Sequence, residues 1–260
     1  QGKIVHLKAL GQRYIEGNEA MPTDAIFVIM SMTKPIVSAA LMMLYEEGYF
    51  LLDDPISKYM PEYAEKQVLV ETEGGMTRAP ADRSITFRHV LTHTAGVDPS
   101  RSSLSEQERE LAGRKATLEE TIAARASLPL AFHPGDQWSY GSSTDYVALL
   151  VERISGQRLD QFLQERIFDP LGMVDTHYNV PDSKIDRISA VYDPSGPGRT
   201  IELRSAPGPD RPTQYFGGVA GLSSTAADYF RFSQMILNGG ELEGVRLLSP
   251  TTINQMITNH

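Results

Sequence analysis

We predict a mixed α/β fold of the α+β type, with an antiparallel sheet flanked by helices and a helical subdomain inserted in the chain. The order of the patterns is the first observation: strand-like segments, then a long helix-rich block, then a return to strand and helix. Composition is the second, since 41% hydrophobic and 22% charged residues in a chain of 260 are typical of a globular protein with a sizeable core. We therefore divide the chain into an α/β part, residues 1–50 and 185–260, and a mainly helical subdomain, residues 51–184.

The first fifty residues carry the strand-like patterns. We predict strands at residues 3–10 and 13–16, separated by a turn at Gly11, so that the chain opens as a meander. A short apolar run at residues 25–30 predicts a buried strand. Apolar residues then recur at helical spacing and predict a helix over residues 33–47, which ends at Gly48.

The subdomain is predicted to contain one hairpin and several helices. Within residues 64–88 the hairpin turns at Gly74 and Gly75. Helical spacing or helix-start signals predict the remaining elements at residues 55–59, 86–93, 103–126 (interrupted at Gly113), 144–154 and 159–168.

Strand and helix signals return after the subdomain. We predict a strand at residues 188–192 and then the longest loop, residues 193–212, which is rich in Pro, Gly and Arg. One helix is predicted from Thr225 to Leu237, and a further helix begins at Thr251.

The junction S-M-T-K-P, residues 31–35, is the first candidate site. Pro35 is tolerated because it falls in the first turn of the helix, and Lys34 lies one turn after Ser31 on the same face. A serine hydroxyl needs a neighbouring base to act as a nucleophile, and a lysine is such a base if its environment keeps part of it neutral. The helix N-terminus also favours a developing oxyanion. The alternative is a helix cap at Ser31 and a solvated side chain at Lys34.

A second candidate segment, W-S-Y-G-S at residues 138–142, precedes the 144–154 helix. Tyr140 is a candidate proton-transfer residue if a cation such as Lys34 lowers its pKa. Ser142 and Trp138 are candidate substrate-binding residues. The alternatives are that Tyr140 simply packs against Trp138 with its hydroxyl in water, and that Ser142 only starts a helix.

Other chemistry-bearing motifs are weak or absent. His89 and His93 lie four residues apart on one predicted helix, but Val90 occupies the position of the glutamate in the zinc-peptidase motif, so we interpret both as structural or hydrogen-bonding histidines. The sequence contains neither G-x-S-x-G nor a phosphate-binding glycine motif.

Charge and cysteine content exclude several classes. The net charge of −9 argues against nucleic acid or an anionic membrane as the main partner. Without cysteine there is neither a disulfide nor cysteine-ligated zinc. No apolar stretch reaches the ~20 residues of a membrane span. We expect a cytoplasmic protein, with an exported one still open, and a monomer or a homodimer.

Six blocks in order resemble one family. They are S-M-T-K-P, L-L-D-D-P-I-S-K-Y-M-P, I-T-F-R-H-V-L-T-H-T-A-G, P-G-D-Q-W-S-Y-G-S-S, D-P-L-G-M-V-D-T and G-G-V-A-G-L-S-S-T-A-A-D-Y-F-R-F. This set resembles serine β-lactamase-like proteins and is most similar to the family VIII carboxylesterases, which share the fold of class C β-lactamases and D-alanyl-D-alanine carboxypeptidases. The resemblance covers nearly the whole chain and implies a serine β-lactamase/transpeptidase-like fold.

The family's roles carry over to matching positions. The resemblance implies that Ser31 is acylated, that Lys34 is the base or the group that holds the charge balance, and that Tyr140 is the second proton-transfer residue. Ser142 stands where the family's Y-x-N block has Asn, which favours an esterase over a strong β-lactamase. The implied partner is a small-molecule ester, and no metal or organic cofactor is implied.

Two alternatives remain open beside the esterase. One is a β-lactamase or D-alanyl-D-alanine carboxypeptidase, and the other is a catalytically silent scaffold or binding protein on the same fold. The family's third motif, K-T-G or in esterases often H-x-G or W-G-G, lies on a strand after the G-G-V-A-G-L block, and the family also has a helix and a strand ahead of residues 3–10. We therefore expect the sequence to be part of a longer polypeptide, with a truncated form as the alternative.

Overall fold

The computed structural model describes residues 2–100, 103–193, 201–208 and 213–260. Its helices are α1 Thr33–Glu46, α2 Phe87–Leu91, α3 Glu106–Leu111, α4 Leu118–Arg125, α5 Ser143–Ser155, α6 Leu159–Leu163, α7 Asp169–Leu171, α8 Ala226–Leu237 and α9 Pro250–Ile257. Its strands are β1 Gln12–Tyr14, β2 Glu19–Ala20, β3 Phe27–Val28, β4 Gln67–Thr72, β5 Gly75–Pro80, β6 Val191–Asp193, β7 Glu202–Ser205, β8 Ser223–Ser224, β9 Glu241–Leu242 and β10 Val245–Arg246. The mixed α/β class predicted from the sequence is confirmed.

The strands pair in short antiparallel ladders throughout the described part of the chain. The pairs are β1 with β2, β3 with β8, β4 with β5, β6 with β7, and β9 with β10. The β3–β8 pair matters most for the site, because it joins Val28 to Ser223 and so brings two distant parts of the sequence together. The predicted hairpin is the β4–β5 pair, in which Thr72 faces Gly75 across the turn.

Helix α1 lies in the middle of the core. Ten of its residues are buried, and it packs mainly against α5, whose residues from Ser143 to Val151 are also buried. The helix ends where the sequence predicts, because Gly48 adopts a left-handed φ of +82° that ends the helical path. The core around it is continuous among the described residues and includes side chains from both predicted parts of the chain.

Polar caps start three helices of the inserted block, α2, α3 and α4. Thr86, Ser105 and Thr117 each accept a hydrogen bond from the backbone N–H three residues later, and that third residue's side chain accepts from the cap's own N–H. These capping boxes explain why the predicted helices at residues 86–93 and 103–126 form, the second as the two helices α3 and α4. The division into two domains stays a prediction.

Several predicted elements differ from the structure. Residues 3–10 form no strand: no described segment pairs with them, and Val5 is 95% exposed. The predicted buried strand at 25–30 shortens to β3, because the chain turns at residue 30 into a 3-10 turn, Met30–Met32. An alternating or apolar pattern makes a strand only where a neighbour supplies hydrogen bonds along its length.

The predicted loop at residues 193–212 and the predicted helix at 159–168 also differ. Strand β7 lies inside that loop and pairs with β6, while residues 194–200 and 209–212 lie outside the described residues. After α6 the chain widens into a π-helical turn, Gln164–Phe168, and continues into α7, which contains Pro170. Proline has no backbone N–H to donate, and this is tolerated because Pro170 lies in the first turn of α7. The short helix predicted at residues 55–59 is a 3-10 turn, Ile56–Lys58.

None of the helices in the described ranges is long and apolar enough to cross a bilayer.

Candidate active site

Ser31 lies at a sharp corner between β3 and α1. Met30, immediately before it, has a left-handed φ of +47°, which is unfavourable for a residue with a side chain. The 3-10 turn Met30–Met32 then leads into α1, so the Ser31 hydroxyl is exposed at the start of a buried helix. The corner is held by Ile29, whose N–H donates to the carbonyl of Leu222 at 2.9 Å.

Lys34 lies one turn further on and points back to Ser31. Its side chain is buried, with 8% relative exposure. Its Nζ is 3.1 Å from Ser31 Oγ and 3.0 Å from the carbonyl oxygen of Val219. The predicted pair is therefore brought within hydrogen-bond distance, and a carbonyl from a distant loop fixes the direction of the ammonium group.

Tyr140 and Trp138 lie beside this pair. Lys34 Nζ is 4.6 Å from the centre of the Tyr140 ring. Hydrogen bonding with Lys34, then with Ser31, and the charge of Lys34 hold the pKa of the Tyr140 hydroxyl below its usual value. The Trp138 ring is 6.2 Å from that of Tyr140, and both side chains are more than half exposed. The structure thus places the four side chains Ser31, Lys34, Tyr140 and Trp138 around one exposed site.

His93 belongs to the same cluster, although sequence reasoning assigned it only a structural role. Its ring lies 5.0 Å from that of Tyr140 and 6.4 Å from that of Trp138. Burial, and then the charge of Lys34, lower the pKa of His93 from its ordinary value. Its buried Nδ1 has no partner among the described residues. The left-handed φ of +59° at His93, past the end of α2, turns the ring toward the site, and no local pattern predicts that turn.

His89 has a different role from His93. Its Nδ1 accepts a hydrogen bond from the N–H of Thr86 at 3.1 Å, as part of the α2 capping box. Among the described residues, no group of three or more His, Asp or Glu side chains is arranged to hold a metal ion.

Ser142 is bound to an acidic residue that sequence reasoning missed. Its hydroxyl donates to Asp98 Oδ1 and its N–H donates to Asp98 Oδ2, both at 2.5 Å. The hydroxyl proposed to bind substrate is therefore engaged within the protein. Asp98 is 44 residues away in sequence, so no local spacing could reveal the contact.

The loop at residues 213–222, just before β8, supplies the carbonyl oxygen that accepts a hydrogen bond from Lys34. The buried carboxylate of Asp145 accepts a hydrogen bond from Val219 N–H at 3.0 Å and another from the Tyr215 hydroxyl at 2.8 Å. A Cβ on Gly218 would overlap the backbone carbonyl of Thr144, so glycine is required for the loop to approach α5 this closely. Asp145 lies in the first turn of α5 and was not predicted to belong to the site.

A cavity of about 350 Å³ adjoins the site through Lys34 and His93. Its walls are mainly apolar and include Met42, Leu52 and Leu91. Ser31 does not line it, so the cavity is not assigned to the reacting part of a substrate.

The sequence and fold are similar to those of known proteins. The family model described as Beta-lactamase matches residues 1–260. Protein Rv1367c of Mycobacterium tuberculosis is 34% identical over 261 residues, which cover 99% of this chain and 65% of that protein. Lovastatin esterase of Penicillium rubens is 32% identical over 275 residues, which cover 100% of this chain and 66% of that protein.

A solved structure shows the same fold. Simvastatin synthase (LovD) of Aspergillus terreus superposes with a TM-score of 0.74 and 25% sequence identity, over 94% of this chain and 62% of that one. The chain spans just under two thirds of the length of the curated relatives named above, at 65% and 66%.

Proposed function

The chain belongs to the beta-lactamase family, and from that premise we propose that it is a serine hydrolase that cleaves small carboxylic esters through an acyl-enzyme on Ser31. A relative that is 32% identical is named as an esterase, which supports this choice within the family. The chain spans less than two thirds of that relative's length, so ester hydrolysis by the whole protein is proposed here and not inferred from the relative alone.

One observation carries the proposal: the 3.1 Å distance between Lys34 Nζ and Ser31 Oγ, at an exposed corner that opens a buried helix. This distance is within the range needed for proton transfer between a nucleophile and its base. A serine that only capped a helix would not need a buried lysine directed at its hydroxyl by a second contact, the carbonyl of Val219.

In the acylation step, Lys34 and Tyr140 act as a pair that holds one proton between them, and this pair accepts the proton of Ser31 as the Ser31 Oγ attacks the ester carbonyl. The new Oγ–C bond forms, and the negative charge on the carbonyl oxygen is held in part by the Ser31 N–H at the helix start. When the carbonyl re-forms, the bond to the alcohol oxygen breaks and Tyr140 gives that oxygen a proton. An acyl-Ser31 ester and a free alcohol are the products.

In the deacylation step, water replaces the alcohol. Tyr140 accepts a proton from the water as its oxygen attacks the acyl carbon, and the Ser31–acyl bond then breaks. Ser31 Oγ regains a proton from the Lys34–Tyr140 pair, which restores the starting state. The carboxylic acid leaves with no net change in the protein.

The contact between Ser142 and Asp98 favours an ester over an amide substrate. With its hydroxyl proton donated to Asp98, Ser142 cannot donate that proton to the carbonyl oxygen of a substrate amide, as an Asn side chain at this position could. A β-lactamase or D-alanyl-D-alanine carboxypeptidase is therefore the second candidate, and its test is direct competition. Faster turnover of nitrocefin or of a D-Ala-D-Ala peptide than of p-nitrophenyl butyrate would replace the esterase proposal with that one.

Fluorophosphonate labelling followed by intact mass measurement tests the nucleophile. We expect one adduct on the wild-type protein and none on Ser31→Ala. Ser38→Ala is the matched control, since Ser38 lies two turns further along α1 and should label like the wild type. No adduct on the folded wild type, or an adduct that persists in Ser31→Ala, would contradict the proposal, and the first result would favour a silent scaffold.

Partner and location are further parts of the proposal. The net charge of −9 supports a small-molecule ester, and not nucleic acid or an anionic membrane, as the partner. A cytoplasmic location is proposed with it, and fractionation of the producing cells tests that point. Sedimentation would distinguish the monomer from the homodimer.

A further inference from the structure

Asp98 holds the turn that carries Tyr140. Its two carboxylate oxygens accept hydrogen bonds from the N–H and the hydroxyl of Ser142, both at 2.5 Å. A bidentate contact of this kind fixes both the orientation of the Ser142 backbone and its distance from Asp98. Asp98 follows α2, and residues 94–97 connect it to His93. The last three of these residues, 95–97, are buried.

Gly141, between Tyr140 and Ser142, is explained by the same carboxylate. A Cβ on Gly141 would overlap Asp98 Oδ2, and Asp98 Cγ would be only 2.9 Å away. The φ of Gly141 lies outside the left-handed region, so its backbone conformation is open to any residue. The glycine is therefore required for space beside Asp98 and not for its conformational freedom.

The turn is fastened on its other side as well. The N–H of Ser139 donates to the carbonyl oxygen of His93 at 2.9 Å. Tyr140 thus lies between one backbone anchor at residue 139 and the Asp98 contact at residue 142. Since its side chain is 54% exposed, surrounding packing alone does not fix the position of its hydroxyl, and the backbone anchors matter more.

We propose that Asp98 is a positioning residue. By accepting two hydrogen bonds from Ser142 it fixes the turn that carries Tyr140, and so keeps the Tyr140 hydroxyl within reach of Ser31 and Lys34. The inference rests on the proposed function. Asp98 does not touch the reacting atoms, and it acts only through Ser142 and the backbone of Gly141.

Electrostatics give this role a distinctive signature. The titratable groups that face Tyr140 are Lys34 from α1 and His93 after α2, with Asp98 beyond the turn. Lys34 and Ser31 hold the pKa of Tyr140 below its usual value, so moving the hydroxyl away from them raises that pKa. Removing the negative charge of Asp98 without movement acts in the opposite direction, because a nearby carboxylate disfavours the phenolate. The sign of the shift therefore separates displacement from simple loss of charge.

Asp98→Ala and Asp98→Asn are the paired test. We expect Asp98→Ala to lower kcat by about 10–10²-fold with little change in KM, because a misplaced catalytic group costs rate and not binding. We also expect the phenolate titration of Tyr140, measured as the ultraviolet difference between each protein and its Tyr140→Phe counterpart, to move to higher pH. Asp98→Asn keeps one acceptor oxygen for Ser142 and should recover much of the rate without an upward shift. Asp136→Asn is the control, since Asp136 lies on the same segment in an exposed ion pair with Arg83.

Gly141→Ala supplies an independent test by suppression. In the wild type its methyl group collides with the carboxylate and should lower kcat at least as much as Asp98→Ala does. In the Asp98→Ala background that obstacle is gone, so adding Gly141→Ala should cost little more. If Asp98→Ala does not fold, Ser142→Ala, which keeps the N–H contact, should give a smaller loss of the same kind.

Failure of this inference differs from failure of the proposed function. A wild type without esterase turnover and without labelling at Ser31 overturns the function, while the Tyr140 titration still reports on the Asp98 contact. An active wild type with unchanged kcat and an unmoved or lowered Tyr140 pKa in Asp98→Ala overturns the role of Asp98. Equal losses from Gly141→Ala in both backgrounds would overturn it too.

Discussion

Tyr140 is the residue whose ionisation is expected to govern the pH dependence of ester cleavage. As a proton acceptor it acts in its phenolate form, and Lys34 and Ser31 make that form available at a pH lower than usual. We expect kcat/KM to rise with pH through an inflection below 10, the ordinary value for tyrosine. Tyr140→Phe should lose that inflection and lower kcat by about 10²–10⁴-fold.

A surface tyrosine provides the control for this variant. Tyr49 is exposed and follows the C-terminal end of α1, whereas Ser31 lies just before its N-terminal end. Tyr49→Phe should therefore retain the wild-type pH profile. The same inflection in Tyr140→Phe as in the wild type would mean that another group, Lys34 alone or His93, accepts the proton.

At the residue scale, local motifs reach only part of the site. Ser31 and Lys34 are one helical turn apart, so their proximity follows from helix geometry and could be predicted from the sequence. Asp98 and Asp145 contact the site through residues 44 and 74 positions away, and such pairings depend on the packed fold. The roles of Ser31, Lys34 and Tyr140 stay predictions that the labelling and pH experiments test.

Among the elements, helix α1 is the one on which the site is built. Leu41 in its middle is fully buried in the core. Leu41→Ala should lower the free energy of unfolding by about 2–5 kcal/mol, because it removes apolar contacts and leaves a cavity. Urea denaturation followed by circular dichroism measures this change.

The same substitution at the surface is its control. Leu51, just after the end of α1, is 66% exposed. Leu51→Ala should stay within about 0.5 kcal/mol of the wild type, as surface substitutions usually do. Comparable losses at the two leucines would show that α1 is not packed in the core as described.

The loop that contains Val219 and contacts Lys34 also packs closely against helix α5. A methyl group on Gly218 would overlap the carbonyl of Thr144, and this backbone atom is fixed within a buried helix. The loop must therefore move and take the carbonyl of Val219 away from Lys34. We expect Gly218→Ala to lower kcat by at least ~10-fold, because orientation of the base contributes several kcal/mol to catalysis.

A matched glycine shows whether the effect is specific. Gly74 lies in the β4–β5 turn with no left-handed φ, and a Cβ there would meet nothing nearer than 3.9 Å. Gly74→Ala should leave kcat unchanged. Full activity in Gly218→Ala would refute the link between this loop and the orientation of Lys34.

Element boundaries also show where sequence patterns reach their limit. The helices were predicted well where caps and glycines mark their ends, as at Thr86 and Gly48. Strands outside the β4–β5 hairpin were predicted less well, because a strand is defined by its partner: residues 25–30 are apolar throughout, yet only the two residues of β3 pair with β8. The turn at Met30 is a backbone conformation that methionine rarely adopts, so nothing in its side chain signals it.

At the scale of the whole molecule, the fold class was predictable because it depends on the order of many elements and not on any one boundary. Errors at residues 3–10 and 159–168 leave that order unchanged. The two predicted parts of the chain share one core, in which α1 from the first part packs against α5 from the second. The fold class therefore depends on this packing and not on the exact ends of each element. Contacts that join distant segments, by contrast, appear only in three dimensions.

Arg187 forms one such junction between three segments. Its Nη1 and Nη2 donate to Asp175 at 2.8 and 2.6 Å, and its Nε is 2.9 Å from an oxygen of Asp24. The backbone carbonyl of Arg187 also accepts from Ile26 N–H at 2.8 Å, next to β3. Lys184 adds a further contact to Asp175 at 3.0 Å. Residues 24–26, 175 and 184–187 are thus held together by one largely buried carboxylate and two cations.

This junction predicts a loss of stability in acid. Hydrogen bonding with Arg187, and then with Lys184, lowers the pKa of Asp175 from 3.8 to about 2. A carboxyl group whose folded pKa lies below its unfolded one stabilises the fold above the unfolded value, and that contribution disappears as the pH falls from about 4 to about 2. Asp175→Asn should therefore lower the free energy of unfolding by about 1–2 kcal/mol near neutral pH, and the difference from wild type should shrink toward pH 2. Asp193→Asn is the control, because the 3.7 Å pair that Asp193 forms with Arg204 is exposed, and such pairs contribute little. Urea denaturation of the three proteins across this pH range measures the effect, and a constant difference between Asp175→Asn and the wild type would show that the carboxylate charge does not hold these segments together.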